Sequence, residues 1–182
     1  MQIITRKMQA ADLAEADQCN EPFTVHEHLI LDVREGNINY RTVSVKPYEK
    51  HYGPEHVDYT QYVDNPDKAV FFGYVDEELA GQIRVYKNWN LYAYIDDIAV
   101  KGQFRRQGVG RALIMEAIGW ARQGGYPGLM LETQNINAAA CRLYESCGFR
   151  LGGFDQYLYK AVMPGTEEIA LYWYLMLDEP KC

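Results

Sequence analysis

A chain of 182 residues, 48% of them apolar, can bury a core without metal or disulfide staples and predicts one domain spanning residues 1–182. Its 25 acidic against 18 basic residues leave a net charge of −7, which argues against nucleic acid and favours a small cationic partner. No apolar run approaches the roughly 18 residues of a membrane span, and Met1–Lys7 lacks a signal peptide's apolar stretch, so the expectation is a cytoplasmic protein with no membrane contact.

Ile3–Thr5 reads as a short strand, and the Ala- and Glu-rich Ala10–Cys19 as a helix stopped by Glu21-Pro22-Phe23. Alternation over Ile38–Val45 predicts a strand. Residues 47–68, with Pro47, Pro54 and Pro66 and the acids Glu55, Asp58, Asp64 and Asp67, read as an irregular connection. Ala69–Val75, the acidic turn Asp76-Glu77-Glu78, Leu79–Tyr86 and, after Trp89-Asn90, Leu91–Val100 then predict an antiparallel meander.

The period changes next. Val109, Leu113, Ile114, Ala117, Ile118 and Ala121 fall at helical spacing, closed by Gly124-Gly125. Gly128–Glu132 reads as a strand, Ala138–Cys147 as a helix ended by Gly148, and Phe149–Tyr159 and Ile169–Leu177 as strands. The fold class is α+β. Cys19, Cys141, Cys147 and Cys182 have no metal-ligand spacing and read as free thiols, so no metal is expected. His26, His28, His51 and His56 lie apart from every motif and read as exposed. Several of the 15 tyrosines could line a pocket for a cation.

The loop Arg105-Arg106-Gln107-Gly108-Val109-Gly110-Arg111 lies between a strand and a helix. There the free first-turn amides, the helix dipole and three arginines can hold a pyrophosphate. A dinucleotide fingerprint would place glycine where Leu113 stands, a P-loop would need Gly-Lys-Ser/Thr, and an antiparallel meander disagrees with a doubly wound sheet. A dinucleotide, with Glu132 at the offset of a ribose acid, and a purely structural glycine turn both stay open beside a different pyrophosphate ligand, coenzyme A.

Arg105-x-x-Gly108-x-Gly110, followed by Asn135-Ile136-Asn137-Ala138-Ala139 and Tyr144-x-x-x-Gly148-Phe149, resembles the GCN5-related N-acetyltransferase (GNAT) superfamily over nearly the whole chain. The resemblance implies a mostly antiparallel, mixed, twisted sheet of about seven strands flanked by helices, with acetyl-CoA as cosubstrate. It implies that Ile98, Ala99 and Val100 pair with the pantetheine arm, that Arg105–Arg111 (Arg105, Arg106, Gln107, Gly108, Val109, Gly110, Arg111) cradle the diphosphate, that Asn137 contacts the cofactor, and that Tyr144 protonates the departing thiolate. Glu21-Pro22-Phe23, Asn88-Trp89-Asn90, Tyr94–Val100, Leu131–Gln134, Gly152–Asp155 and Tyr172-Trp173-Tyr174 further resemble streptothricin acetyltransferases. Relatives carry a denser acidic run before the central hairpin than residues 54–67 do here. The activity this implies is direct acetylation of a primary amine of streptothricin, in its β-lysine arm, which confers resistance. The alternatives are another small polyamine, an aminoglycoside, a peptide amine, or a module that binds acetyl-CoA without turnover.

A primary amine, with a reference pKa near 10.4, must lose a proton before it attacks, so a carboxylate is needed. Strand alternation places Asp96 with Tyr94 and Ile98 and turns Asp97 away unless a bulge intervenes. Related enzymes favour the first acid of such a pair, so Asp96 is the first candidate base and Glu132 the second. Each could equally hold an arginine, and Tyr144 sits at core spacing from Ala140. Trp89, Tyr92, Tyr94, Asp96, Asp97, Glu132, Asp155 and Trp173 are candidate substrate contacts. Edge strands near Tyr172–Tyr174 could pair with a second chain to form a homodimer or pack within one.

Overall fold

The computed structural model describes residues 2–53 and 56–177. In chain order the elements are β1 (Ile3–Lys7), β2 (Phe23–Arg34), β3 (Asn37–Lys50), β4 (Lys68–Val75), β5 (Glu78–Lys87), β6 (Ala93–Val100), α1 (Val109–Gln123), β7 (Gly128–Gln134), α2 (Ala138–Ser146), β8 (Arg150–Asp155) and β9 (Ala170–Met176). Seven strands form a mixed sheet in the order β1-β4-β5-β6-β7-β9-β8, and β2 and β3 form a separate pair, so the α+β expectation holds. The described residues fall into two compact units, the first drawn from residues 2–22, 51–53, 56–129 and 176–177, the second from Phe23–Lys50 and Met130–Leu175.

In the first unit β1, β4, β5 and β6 are antiparallel neighbours. Asp76 and Glu77 both adopt left-handed φ, +47° and +71°, and such a two-residue turn matches the twist of the strands it joins. Glu78 already belongs to β5, which shortens the expected turn by one residue. Helix α1 lays Val109, Leu113, Ile114, Ala117, Ile118 and Ala121 against β1, β4, β5 and β6, the stripe its periodicity requires. A second cluster joins Met8, Cys19, Tyr62, Val70, Phe72 and Leu79.

The expected helix at 10–19 is only a 3-10 turn, Ala10–Glu15. Asp17 takes φ +66° and gives its amide to Gln82 Oε1, which ends the coil. The connection at 47–68 is more ordered than expected. Its first residues finish β3, and Tyr59–Tyr62 form a 3-10 turn capped by Asp58, whose carboxylate accepts from Thr60 N. Pro54 and Glu55 lie outside the described residues, as does Cys182.

In the second unit β2 and β3 make a long antiparallel hairpin about Glu35-Gly36. Strand β2 was not expected, although Phe23, Val25, Leu29, Leu31 and Val33 alternate with polar residues. Glu27 interrupts that series and Ile30 blurs it. Asn135 is buried and stitches three segments. Its amide and side-chain oxygen bond Ile169 O and N, while its carbonyl and Nδ2 bond Leu29 N and O. Strand β8 stops at Asp155 rather than Tyr159, because Asp155 Oδ1 accepts from Tyr157 N and Leu158 N and turns the chain. Strand β9 lies between β7 and β8, so Tyr172–Tyr174 is not an edge and cannot pair with a second chain as a free edge would. Trp173 is only 1% exposed and belongs to the core. His28 is half-buried against the Tyr48 hydroxyl, while His26, His51 and His56 are exposed as expected.

Candidate active site

Gly108 holds φ +94°, a left-handed conformation that favours glycine, and no side chain caps the helix it starts. The first intrahelical bond of α1 is Ala112 N to Gly108 O, so the amides of the first turn precede the ladder and present the positive end of the helix dipole. Arg106 and Arg111 are exposed beside them. Arg105 lies against backbone carbonyls. Its Nε donates to Val100 O at 2.9 Å, Nη1 to Pro22 O at 2.9 Å and Nη2 to Glu21 O at 3.2 Å. It ties the end of β6 to residues 21–22, and Glu21 returns the tie by accepting from Gly102 N. The Gln107 side chain donates to Gln103 O and braces the loop.

In β6 a bulge does intervene. Arg84 pairs with Asp97 and Val85 with Ile95, so Asp96 is the extra residue. Both acids therefore meet the same face of β5. Arg84 Nε donates to Asp96 Oδ2 at 2.6 Å, and Gln82 Nε2 donates to Asp97 Oδ2 at 3.0 Å. Arg84 is 2% exposed, whereas the Asp96 side chain keeps 30% of its surface. The Tyr59 hydroxyl accepts from Arg84 Nη1 and from Gln82 Nε2. Ile98, Ala99 and Val100 follow the bulge, half-buried and paired with Ile83, Gln82 and Gly81.

In the second unit Glu132 accepts a hydrogen bond from the Tyr159 hydroxyl. Burial pushes its carboxyl up to about 7, because water no longer stabilises the anion. The same charge, with Asp155, helps burial hold Tyr172 above the usual phenol range. Glu132, Asp155, Tyr159 and Tyr172 thus share one neighbourhood, and Tyr159 and Tyr172 were not among the expected site residues. Nothing local marks Tyr159, since it comes to Glu132 only through the turn after β8.

Tyr144 is buried between Phe149 and Trp173, with ring centroids 6.1 Å and 6.4 Å away, which fixes where its hydroxyl lies. Asn137 Oδ1 accepts from Ala140 N and caps α2. Asn137 also lines a hollow of about 50 Å³ with Phe23–Glu27, Ile136, Ala138, Ala139 and Arg142, the last ion-paired to Glu27. Trp89 stands 89% exposed at the turn before β6. Tyr94 stacks obliquely on Tyr86. Among the described residues no cluster could hold a metal ion, and no helix is long and apolar enough to cross a membrane.

The model of the acetyltransferase (GNAT) family matches residues 32–149. The chain belongs to the GNAT acetyltransferase family. It is 40% identical to streptothricin acetyltransferase A of Bacillus subtilis (strain 168) over 92% of this chain and 96% of that protein. It is 36% identical to the streptothricin acetyltransferase of Escherichia coli over 89% and 90%. Among solved structures, a Bacillus anthracis protein described as a putative streptothricin acetyltransferase in complex with acetyl coenzyme A superposes with a TM-score of 0.89 at 40% identity, covering 98% of this chain and 99% of that one. A nourseothricin acetyltransferase superposes at 0.81 with 30% identity over 98% and 100%. This acetyltransferase is thus an N-acetyltransferase with acetyl-CoA as its donor. The diphosphate of acetyl-CoA fits the start of α1, where an uncapped helix end meets a glycine turn and two exposed arginines, Arg106 and Arg111.

Proposed function

We propose that this chain, acting in the cytoplasm as one catalytic domain over residues 1–182, acetylates a primary amine in the β-lysine arm of streptothricin. Attack on the donor is direct, with no acyl-enzyme. The observation that carries the reading is the half-buried carboxyl of Glu132, bonded by the Tyr159 hydroxyl, in a chain 40% identical over 92% of its length to a streptothricin acetyltransferase. The acceptor is a small cation, in keeping with the net charge of −7, and neither nucleic acid nor a membrane is part of the reaction.

Acetyl-CoA, when bound, supplies the acetyl group as an activated thioester. The amides that open α1, with Arg106 and Arg111, hold the diphosphate, and Ile98–Val100 align the arm beside β6. The acceptor arrives as an ammonium, and Glu132, whose carboxyl burial raises to about 7, takes its proton. A carboxyl buried to that degree accepts a proton near neutrality, where an exposed glutamate would be too weak a base. The Tyr159 hydroxyl bond orients it. Tyr144, clamped by Trp173 and Phe149, offers its hydroxyl proton to the departing sulfur. Asn137 sets the start of α2, the helix that carries Tyr144.

The test is release of free CoA thiol with streptothricin, spermidine or an aminoglycoside as acceptor. Release with streptothricin at a kcat/KM at least about a hundredfold above the others supports the reading. Binding of acetyl-CoA with no thiol released would leave only a sensing module, and preference for another acceptor would move the enzyme to a different amine.

A further inference from the structure

The β2–β3 hairpin lies against α2 within the second unit, joined to it by two ties that the reaction above leaves without a task. Glu27 of β2 pairs with Arg142, and the Tyr40 hydroxyl of β3 donates to Glu145 Oε2 at 2.9 Å. Arg142 and Glu145 stand three positions apart and so share one face of the helix. Tyr144, between them in sequence, turns inward and is 5% exposed.

Tyr40 reaches that inward side by a second route. Its ring meets Trp173 edge-on, with centroids 6.3 Å apart at 71°. Trp173 is in turn one of the two rings that hold Tyr144. A chain of rings, Tyr40 to Trp173 to Tyr144, thus runs from the hairpin to the phenol assigned as the acid, and in a close-packed interior a ring that loses one neighbour shifts against the next. Burial and the Glu145 acceptor push the Tyr40 phenol up to about 12, so it remains a neutral donor at working pH.

Resting on the acid role assigned above to Tyr144, we propose that Tyr40 is a positioning residue for acetyl transfer: its ring braces Trp173, its bond to Glu145 ties that ring to α2, and the two together set the direction of the Tyr144 hydroxyl. The bond to Glu145 is exposed and contributes little alone, so the ring does most of the positioning. Without the ring Trp173 can tilt, and a misdirected phenol protonates the departing sulfur less often. Tyr40 acts through Trp173 rather than on a reactant, so the effect falls on kcat and not on KM.

The test is a double-mutant cycle of Tyr40→Leu with Tyr144→Phe, read as kcat for thiol release at saturating acetyl-CoA and whichever acceptor the screen above identifies. In the wild-type background Tyr40→Leu lowers kcat about five- to tenfold with both KM values within about twofold, and Tyr40→Phe, which keeps the ring, stays within about twofold of wild type. In the Tyr144→Phe background Tyr40→Leu changes kcat by less than about twofold, because the hydroxyl it would misdirect is gone. Equal falls in both backgrounds, the mark of a merely structural role, overturn the proposal. So does an unchanged kcat in the wild-type background, or a change confined to KM. If Tyr40→Leu does not fold, as circular dichroism would reveal, Tyr40→Met, with a more adaptable side chain, runs the same cycle in its place. Full turnover in Tyr144→Phe alone overturns the acid role and this proposal with it, whereas equal falls in both backgrounds leave the acid role standing.

Discussion

The hydroxyl of Tyr159 donates to Oε1 of Glu132, and the carboxyl that receives it sits near 7 because it is buried. A base acts only when ionised, so kcat/KM for the amine should rise as pH increases through about 7 and flatten above it. Glu132→Gln should lower kcat about a hundredfold or more and erase that rise. Tyr159→Phe removes a donor that favours the anion, so its acidic limb should move to higher pH without disappearing. A stopped-flow or thiol-release profile from pH 5.5 to 9 checks both.

The same carboxyl has a cost in stability, with a defined sign. Its folded pKa lies above the ordinary value of 4.5, so between roughly 4.5 and 7 the folded state binds more protons than the unfolded one. Folding stability contributed by this group is present below that window and lost as pH rises through it. Glu132→Gln, which cannot ionise, should unfold at a higher temperature than wild type at pH 8. After discounting for partial solvent access, the gain is about 1–2 kcal/mol. At pH 4.5 the two should melt close together. Paired melting curves at the two pH values decide it.

The Tyr144 ring is held between Phe149 and Trp173, and a phenylalanine keeps both contacts. Tyr144→Phe should keep its contacts with Phe149 and Trp173 and melt near wild type. A thiol has a reference pKa near 8.5 and a phenol one near 10, so protonation by Tyr144 assists the leaving group only moderately. Turnover should fall about ten- to a hundredfold, with the KM for acetyl-CoA little changed. Trp173→Ala, by contrast, opens the clamp and should lower both kcat and the melting temperature.

The two helices could be read directly because a single apolar stripe fixes each, and β4 and β5 because each is a nearly continuous apolar run bounded by turn residues. The bulge at Asp96 could not, since alternation does not reveal an inserted residue. Two adjacent acids in an otherwise apolar strand were its only local trace. Tyr59 belongs with Asp96 only once Arg84 is seen to join them, and Tyr159 meets Glu132 across 27 positions of sequence. Ala10–Cys19 has the composition of a helix, but its coil is broken by Asp17, whose amide is committed to Gln82. Cofactor motifs repeat from protein to protein because the diphosphate does not change, whereas the acceptor site depends on pairings unique to this tertiary structure.

Arg105 is held differently from Arg106 and Arg111 in the loop proposed above to hold the diphosphate. Its guanidinium is committed to the carbonyls of Val100, Pro22 and Glu21, whereas Arg106 and Arg111 are exposed at the start of α1. Removing Arg105 should therefore act through the loop. Loss of these partly exposed charge-assisted bonds costs about 2 kcal/mol, or a melting point about 5 °C lower for a chain of this size. The KM for acetyl-CoA should rise in Arg105→Ala, yet its dependence on salt should match wild type, because no ligand-facing charge has been lost. In Arg106→Ala the melting point should hold, and the salt dependence should flatten if that cation meets the diphosphate. Measuring KM from 50 to 500 mM NaCl beside thermal melts distinguishes the two roles. A flattened salt dependence in Arg105→Ala would instead place its guanidinium on the diphosphate and would mean that acetyl-CoA draws it away from the three carbonyls.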